Sequence, residues 1–218
     1  MAARARAHAP PPARRGPTPP RGRPVRLLIA TRNAHKLAEI RGMLPGVELV
    51  GTDAFPGVPD PEETGLTFEA NARIKAEAWR DATGLPALAD DSGLEVDALG
   101  GEPGVRSARY AGEHGDTAAN NAKLLRALAG VPPERRTARF VCALALAVPG
   151  QPTRVLRGEC RGTILPEGRD AGHGFGYDPL FVPEGHDRSF GELPDAVKAA
   201  LSHRARAFAE ARRAWSLT

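Results

Sequence analysis

The amino-acid sequence predicts an α/β fold in which helices cover a mixed β-sheet. In the first half of the chain, short apolar runs alternate with segments of helical periodicity, the pattern of strand–helix–strand units. In the second half, two apolar segments flank a Pro-Gly-Gln-Pro stretch at 149–152, which predicts a long antiparallel hairpin. Parallel and antiparallel strands are therefore expected in one sheet.

The first strand–helix–strand unit occupies residues 25–50. Residues 25–30 form a short apolar run with β-branched members, which predicts a buried strand. Leu37, Ile40 and Leu44 then recur at helical spacing, and the Pro-Gly pair after Leu44 ends that helix. Residues 47–50 are the second predicted strand.

The next unit is a long helix followed by two short strands. Thr67 is a suitable N-cap, and Gly84 ends the helix. Residues 87–89 and 94–96 are predicted as separate strands hinged at 90–93, because Asp, Ser and Gly favour turns.

The remaining elements complete the covered sheet. Thr117 is expected to cap a helix that runs to Gly130, and residues 163–191, dense in glycine and aromatics, are expected to form a binding loop. The other predicted elements are strands at 139–148 and 153–162 and helices at 195–201 and 202–215.

Length and composition indicate an ordinary soluble globular protein. The 218 residues suit one domain, and no apolar run is long enough to cross a bilayer. Cys142 and Cys160 lie on neighbouring predicted strands, so a disulfide is conceivable, but buried reduced thiols in a cytoplasmic protein are the favoured interpretation.

The net charge of +4 is unevenly distributed. Residues 1–24 hold six of the 30 basic residues and no acid, so residues 25–218 carry 24 basic against 26 acidic residues. The first 24 residues are rich in Arg, Pro and Ala and lack apolar periodicity, which predicts a disordered tail preceding one domain at 25–218. An inert extension is favoured over a weak nucleic-acid contact or a targeting role. Because the folded part is net acidic, no specific nucleic-acid binding is expected.

The first candidate site follows the first predicted strand, at Thr31, Arg32, Asn33, Ala34, His35 and Lys36. A strand-to-helix junction presents backbone N–H groups and the positive end of the helix dipole, which suits a phosphate. Lys36 adds a positive charge. The alternative is a solvated lysine on the first helical turn.

The second candidate site is the pair Asp90 and Asp91, followed by Ser92. Carboxylates with open positions suit Mg²⁺, and Glu63 supplies a further acid. Side chains alternate along a strand, so only one of the two aspartates would face the site. A plain Asp-Gly turn is the alternative. On the long predicted helix, Asn71 and Lys75 lie four apart on one face and could present an amide and an ammonium to a phosphate chain, unless Lys75 extends along Trp79.

Two further clusters lie near the C-terminus. Phe175, Gly176, Tyr177 and Asp178 would expose an aromatic ring for base stacking, unless they form a glycine-rich hairpin with core aromatics. Ser202 is a suitable N-cap that would place His203 and Arg204 on a first helical turn, near Lys198. Solvated first-turn charges are the alternative there.

Together and in this order, these segments resemble the ITPase/Ham1 family of non-canonical purine nucleoside triphosphate pyrophosphatases. The resemblance covers residues 26–212 and rests on seven segments, namely 31–36 (TRNAHK), 63–68 (ETGLTF), 89–94 (ADDSGL), 100–104 (GGEPG), 107–110 (SARY), 175–179 (FGYDP) and 202–204 (SHR). It implies a long central sheet, two lobes with the active site in the cleft between them, and a homodimer.

The resemblance also implies the chemistry. Residues 31–36 with Lys198 would hold the triphosphate, Asp91 and Glu63 would bind Mg²⁺, and Asp91 would activate the attacking water. Ser92 would contact the substrate, residues 175–178 would enclose the purine, and His203 and Arg204 would read its edge. The expected reaction converts ITP, dITP or XTP to the monophosphate and pyrophosphate. A Maf-type pyrophosphatase acting on pyrimidine or modified nucleotides is the alternative, and segments 175–179 and 202–204 argue against it.

Overall fold

A six-stranded mixed sheet forms the centre of the protein. The computed structural model describes residues 26–172 and 174–215, so the predicted disordered tail at 1–24 lies outside the described residues. The sheet order is β2-β1-β3-β4-β5-β6, with β1 parallel to β2 and β3 and the remaining pairs antiparallel. The predicted fold class is confirmed. The strands are β1 Arg26–Ile29, β2 Glu48–Gly51, β3 Ala87–Val96, β4 Thr137–Ala147, β5 Arg154–Ile164 and β6 Phe181–Pro183.

Within the described residues, five α-helices cover the sheet, namely α1 Ala34–Met43, α2 Phe68–Thr83, α3 Thr117–Ala127, α4 Asp195–Leu201 and α5 His203–Trp215. Both predicted ends of α2 are confirmed. The Thr67 hydroxyl caps the N-terminus by accepting from Ala70 N, and Gly84 ends the helix with a left-handed backbone at φ 69°. The predicted cap of α3 is wrong by one residue. Asp116 caps that helix by accepting from Ala119 N, because a carboxylate also favours the positive helix end.

Two strand predictions are wrong. The hinge expected at 90–93 does not exist, because β3 continues through it and β4 pairs with every residue, including Asp91 with Ala143 and Ser92 with Cys142. Ladder pairing here overrides the turn preference of Asp, Ser and Gly. The loop expected at 163–191 contains β6, which pairs with the end of β5. Three residues are too few for a recognisable alternation.

The apolar core is divided along the length of the central strands. At one end, α1 and α5 cover one sheet face and α2 covers the other, each with its own cluster. At the other end, Leu94, Phe140 and Phe181 belong to a third cluster with Leu124 of α3. Asp90 to Gly93 lie between these clusters, where polar residues interrupt the apolar packing.

Glycine at position 158 lets α5 approach the sheet closely. A Cβ atom there would lie 2.4 Å from both Ala207 N and His203 O, so α5 and β5 meet backbone to backbone. This contact fixes the first turn of α5 above the middle of the sheet. In the part of the chain that the structure describes, no helix is long and apolar enough to span a membrane.

Candidate active site

A cavity of about 440 Å³ opens at the middle of β3. Of the predicted site residues, all except Ala34 line it, although they come from six separate segments of the chain. Ala34 lies in the exposed first turn of α1. The fold therefore gathers the predicted clusters into one site.

The N-terminus of α1 forms one wall of this cavity. Asn33 caps the helix by accepting from Lys36 N at 3.0 Å, and Thr31 Oγ1 accepts from Asn33 N at 3.1 Å. The Lys36 side chain is only 16% exposed and its Nζ lies 2.6 Å from Asp90 Oδ1. The solvated-lysine alternative is therefore wrong.

The Asp90 carboxylate is fully buried beneath the cavity, where two cations and two neutral donors bind it. Arg204 Nε donates to it at 2.9 Å, while Cys142 Sγ and Ser92 Oγ donate at 3.0 and 2.9 Å. Burial would raise the pKa of Asp90, but the charges of Arg204 and Lys36 hold it well below its usual range. Asp90 is thus a permanent anion that fixes the cations around it.

Asp91 lies on the opposite face of β3, beside α2. Lys75 Nζ donates to Asp91 Oδ1 at 2.8 Å, to Glu63 Oε1 at 3.1 Å and to the Asp90 carbonyl at 2.9 Å. Burial raises the pKa of Asp91 despite the opposing charge of Lys75. Burial also favours a higher pKa for Glu63, but the nearby charge of Lys75 outweighs burial, so the pKa of Glu63 is lowered. Lys75 is therefore paired with the two acids, which the sequence did not predict, and it does not extend to solvent along Trp79. The Asn71 amide oxygen accepts from Gly65 N.

The acidic pair fits Mg²⁺. Oxygens of Asp91 and Glu63 converge within about 3 Å of one point, which Lys75 Nζ marks. The described residues contain no cluster of three or more His, Cys, Asp or Glu that could hold a metal by itself. Mg²⁺ commonly binds through one or two carboxylates and completes its shell with water and phosphate oxygens, so two acids are a sufficient protein contribution.

Phe175 lies at the other end of the cavity. The ring is half-buried rather than exposed as predicted, because His35 stacks on it at 5.2 Å with an interplanar angle of 17° and Lys198 Nζ lies 4.7 Å from its centroid. The Gly176 carbonyl accepts from Asn121 Nδ2 at 3.1 Å. Tyr177 is a core residue that donates its hydroxyl to the Ser107 carbonyl at 2.9 Å.

Lys198 lies beside Phe175, whose ring marks the aromatic end of the cavity. Its Nζ is 2.6 Å from Asp178 Oδ2 and 3.3 Å from Glu39 Oε1. Burial raises the pKa of Asp178 against the opposing charge of Lys198. Sequence reasoning missed Glu39, which also binds Arg204. Its position four residues after His35 on α1 was the available signal, since such residues share a helix face.

The first turn of α5 supplies His203 and Arg204. Ser202 caps this helix as predicted, accepting from Ala205 N at 3.2 Å. Arg204 is 1% exposed, and in addition to Asp90 and Glu39 it donates to Ser92 Oγ at 3.0 Å. The alternative of solvated first-turn charges is therefore wrong.

His203 is buried as a neutral imidazole. Its ring stacks on Phe140 at 4.9 Å, and its Nδ1 has no hydrogen-bond partner among the described residues. Burial and the charge of Arg204 hold the pKa of His203 well below its ordinary value. A buried ring nitrogen without a partner at a cavity wall is suited to a polar ligand atom.

Cys142 and Cys160 are both free and buried. Cys142 donates to Asp90 and belongs to the base of the site. Burial and the charge of Asp90 raise the pKa of its thiol well above the ordinary value, so the thiol stays protonated.

A family model, described as the Ham1 family, matches residues 27–214. The chain belongs to the Ham1 family. A curated family relative, the dITP/XTP pyrophosphatase of Nocardia farcinica, is 57% identical over 188 residues, covering 84% of this chain and 91% of the relative. The Ham1 protein of Staphylococcus aureus superposes with a TM-score of 0.80 at 38% identity, covering 88% and 98% of the two chains. For a dITP/XTP pyrophosphatase of Mycobacterium abscessus the TM-score is 0.73 at 49% identity, covering 85% and 97%.

Proposed function

We propose that this Ham1-family protein hydrolyses the non-canonical purine nucleotides ITP, dITP and XTP to the nucleoside monophosphate and pyrophosphate, with Mg²⁺ as cofactor. One observation carries the proposal. A single cavity joins the converging acids Asp91 and Glu63 to an aromatic ring at Phe175, with the α1 N-terminus in the same wall. The similarity to the dITP/XTP pyrophosphatases of Nocardia farcinica and Streptomyces coelicolor supports it.

The phosphate chain would bind at the α1 N-terminus, with Lys36 as a positive charge. Asp91 would accept the proton of the attacking water, since a buried carboxylate with a raised pKa is a better base than an exposed one. Mg²⁺, held by Asp91 and Glu63, would neutralise phosphate charge as it develops. Lys75 would then keep its bond to the Asp90 carbonyl and stay beside the phosphates.

The purine would stack on Phe175, and His203 and Arg204 would face its edge. The 6-keto oxygen of inosine and xanthine accepts a hydrogen bond, whereas the 6-amino group of adenine donates one, so N–H donors favour the former. Guanine shares the 6-keto oxygen but has a 2-amino group. Burying that group without an acceptor costs about 1–3 kcal/mol, or roughly ten- to a hundredfold in affinity.

The protein would act in the cytoplasm, and as a homodimer, which the resemblance to the family implies. Chromatography with light scattering would test the assembly, and a single peak at the mass of one 23.1 kDa chain would contradict it.

Pyrophosphate release, measured with and without Mg²⁺ across ITP, dITP, XTP, GTP, ATP and the pyrimidine triphosphates, tests the activity. We expect metal-dependent release from the first three and little from ATP or GTP. Activity confined to pyrimidine nucleotides would replace this proposal with a Maf-type activity. The absence of release from every nucleotide would refute it.

A further inference from the structure

A short 3-10 helix at Gly104–Arg109 also lines the cavity. Its last residue, Arg109, extends a guanidinium to 3.7 Å from Glu63 Oε2. This side chain reaches the acidic end of the cavity from an element that contributes none of the phosphate-binding residues considered above.

The backbone that carries Arg109 is held rigidly. A Cβ atom on Gly93 would lie 2.3 Å from Ser107 Oγ, so this 3-10 helix packs directly against β3. Ser107 Oγ accepts from Leu94 N at 2.9 Å, and the Ser107 carbonyl accepts from Tyr177 Oη. The helix is thus fixed both to β3 and to Tyr177.

The charge of Arg109 is less neutralised than that of the other cations in the cavity. Arg32, Lys36, Lys75, Lys198 and Arg204 each have a side-chain nitrogen within 2.9 Å of a carboxylate oxygen. Arg109 is 36% exposed, and its one carboxylate partner in the described part of the chain lies beyond hydrogen-bond distance. Its N–H groups are therefore available to a ligand.

We propose that Arg109 is a phosphate-binding residue that clamps the phosphate chain of the substrate from the wall formed by the 3-10 helix. This inference rests on the proposed function. The guanidinium presents a planar set of donors that suits two oxygens of one phosphate, and its neighbour Glu63 belongs to the acidic pair at the same end of the cavity.

Inorganic triphosphate tests this directly, because it carries the phosphate chain without a base. Titration calorimetry should show that Arg109→Ala weakens binding of inorganic triphosphate to the folded protein by about tenfold or more. The matched control is Arg106→Ala, which removes an arginine of the same 3-10 helix that is paired with Glu102 and absent from the cavity lining. That variant should bind like wild type.

Arg109→Lys keeps the charge but loses the planar donor set, so its affinity should lie between those of wild type and Arg109→Ala. It also serves if the alanine variant fails to fold. Equal affinities for wild type and the Arg109 variants would overturn the inference. If the chain binds triphosphate through Arg109 but releases no pyrophosphate from any nucleotide, the proposed function fails and the inference stands. If ITP is hydrolysed with the same KM by the Arg109 variants, the inference fails and the function stands.

Discussion

Asp90 and Asp91 are adjacent in sequence, but their side chains lie on opposite faces of β3. Asp90 faces α1 and α5 and is bound by Lys36 and Arg204, whereas Asp91 faces α2 and is bound by Lys75. The alternation of side chains along a strand causes this separation. One carboxylate is therefore a buried structural anion, and the other belongs to the acidic site.

Asp91→Asn should abolish most of the activity while leaving the fold intact. The amide cannot accept the proton of the attacking water and is a poorer metal ligand, so we expect turnover to fall at least about a hundredfold. Single-turnover pyrophosphate release measures this, with thermal unfolding as the check on folding. Near-normal turnover would remove Asp91 from the mechanism.

Asp90→Asn should mainly reduce stability. Removing this charge leaves Arg204 with Glu39 alone and takes from Lys36 its carboxylate partner in the described part of the chain, which costs about 3–5 kcal/mol of unfolding free energy. Urea denaturation measures the loss. The control Asp97→Asn removes an aspartate that is 55% exposed and should change stability by less than about 1 kcal/mol. Equal effects of the two substitutions would refute the structural role of Asp90.

His203 should make stability fall below about pH 6.5. Its pKa is low in the folded protein, so the unfolded chain binds an additional proton as the pH drops through 6.5, and unfolding is favoured there. Between pH 7.5 and 5.5, wild type should lose about 1 kcal/mol more unfolding free energy than His203→Gln. Parallel urea titrations at both pH values measure the difference. Identical losses would show that His203 titrates normally in the folded protein.

Phe175 and Tyr177 should have different roles, although one residue separates them. Phe175→Leu removes the stacking surface and should raise KM roughly tenfold with little change in stability. Tyr177→Phe removes the donor to the Ser107 carbonyl and should lower unfolding free energy by about 1 kcal/mol with little direct effect on base stacking. Steady-state kinetics and denaturation on both variants test the contrast. A larger KM effect from Tyr177→Phe would reverse the assignment.

Local signals in the sequence were sufficient for most helices. Thr67, Gly84 and Ser202 act where the sequence placed them, since a cap bonds backbone groups two or three residues away. The turn propensity of residues 90–93 was misleading, because pairing with β4 depends on a partner about 50 residues away. The three-residue β6 exists through pairing with β5 and carries no periodic signal of its own.

The sequence by itself determined the mixed α/β class, the family resemblance and part of the cavity lining. Only the tertiary structure decided which charges are neutralised and which remain available. Glu39 and Arg109 acquire their roles from partners outside their own local segments, at Arg204 and at Glu63. Lys198 likewise lies beside Asp178 and Phe175, at the aromatic end of the cavity. Spacing along the chain reports which face of an element a side chain occupies, whereas ion pairing depends on the distance between elements, which only the packed fold sets.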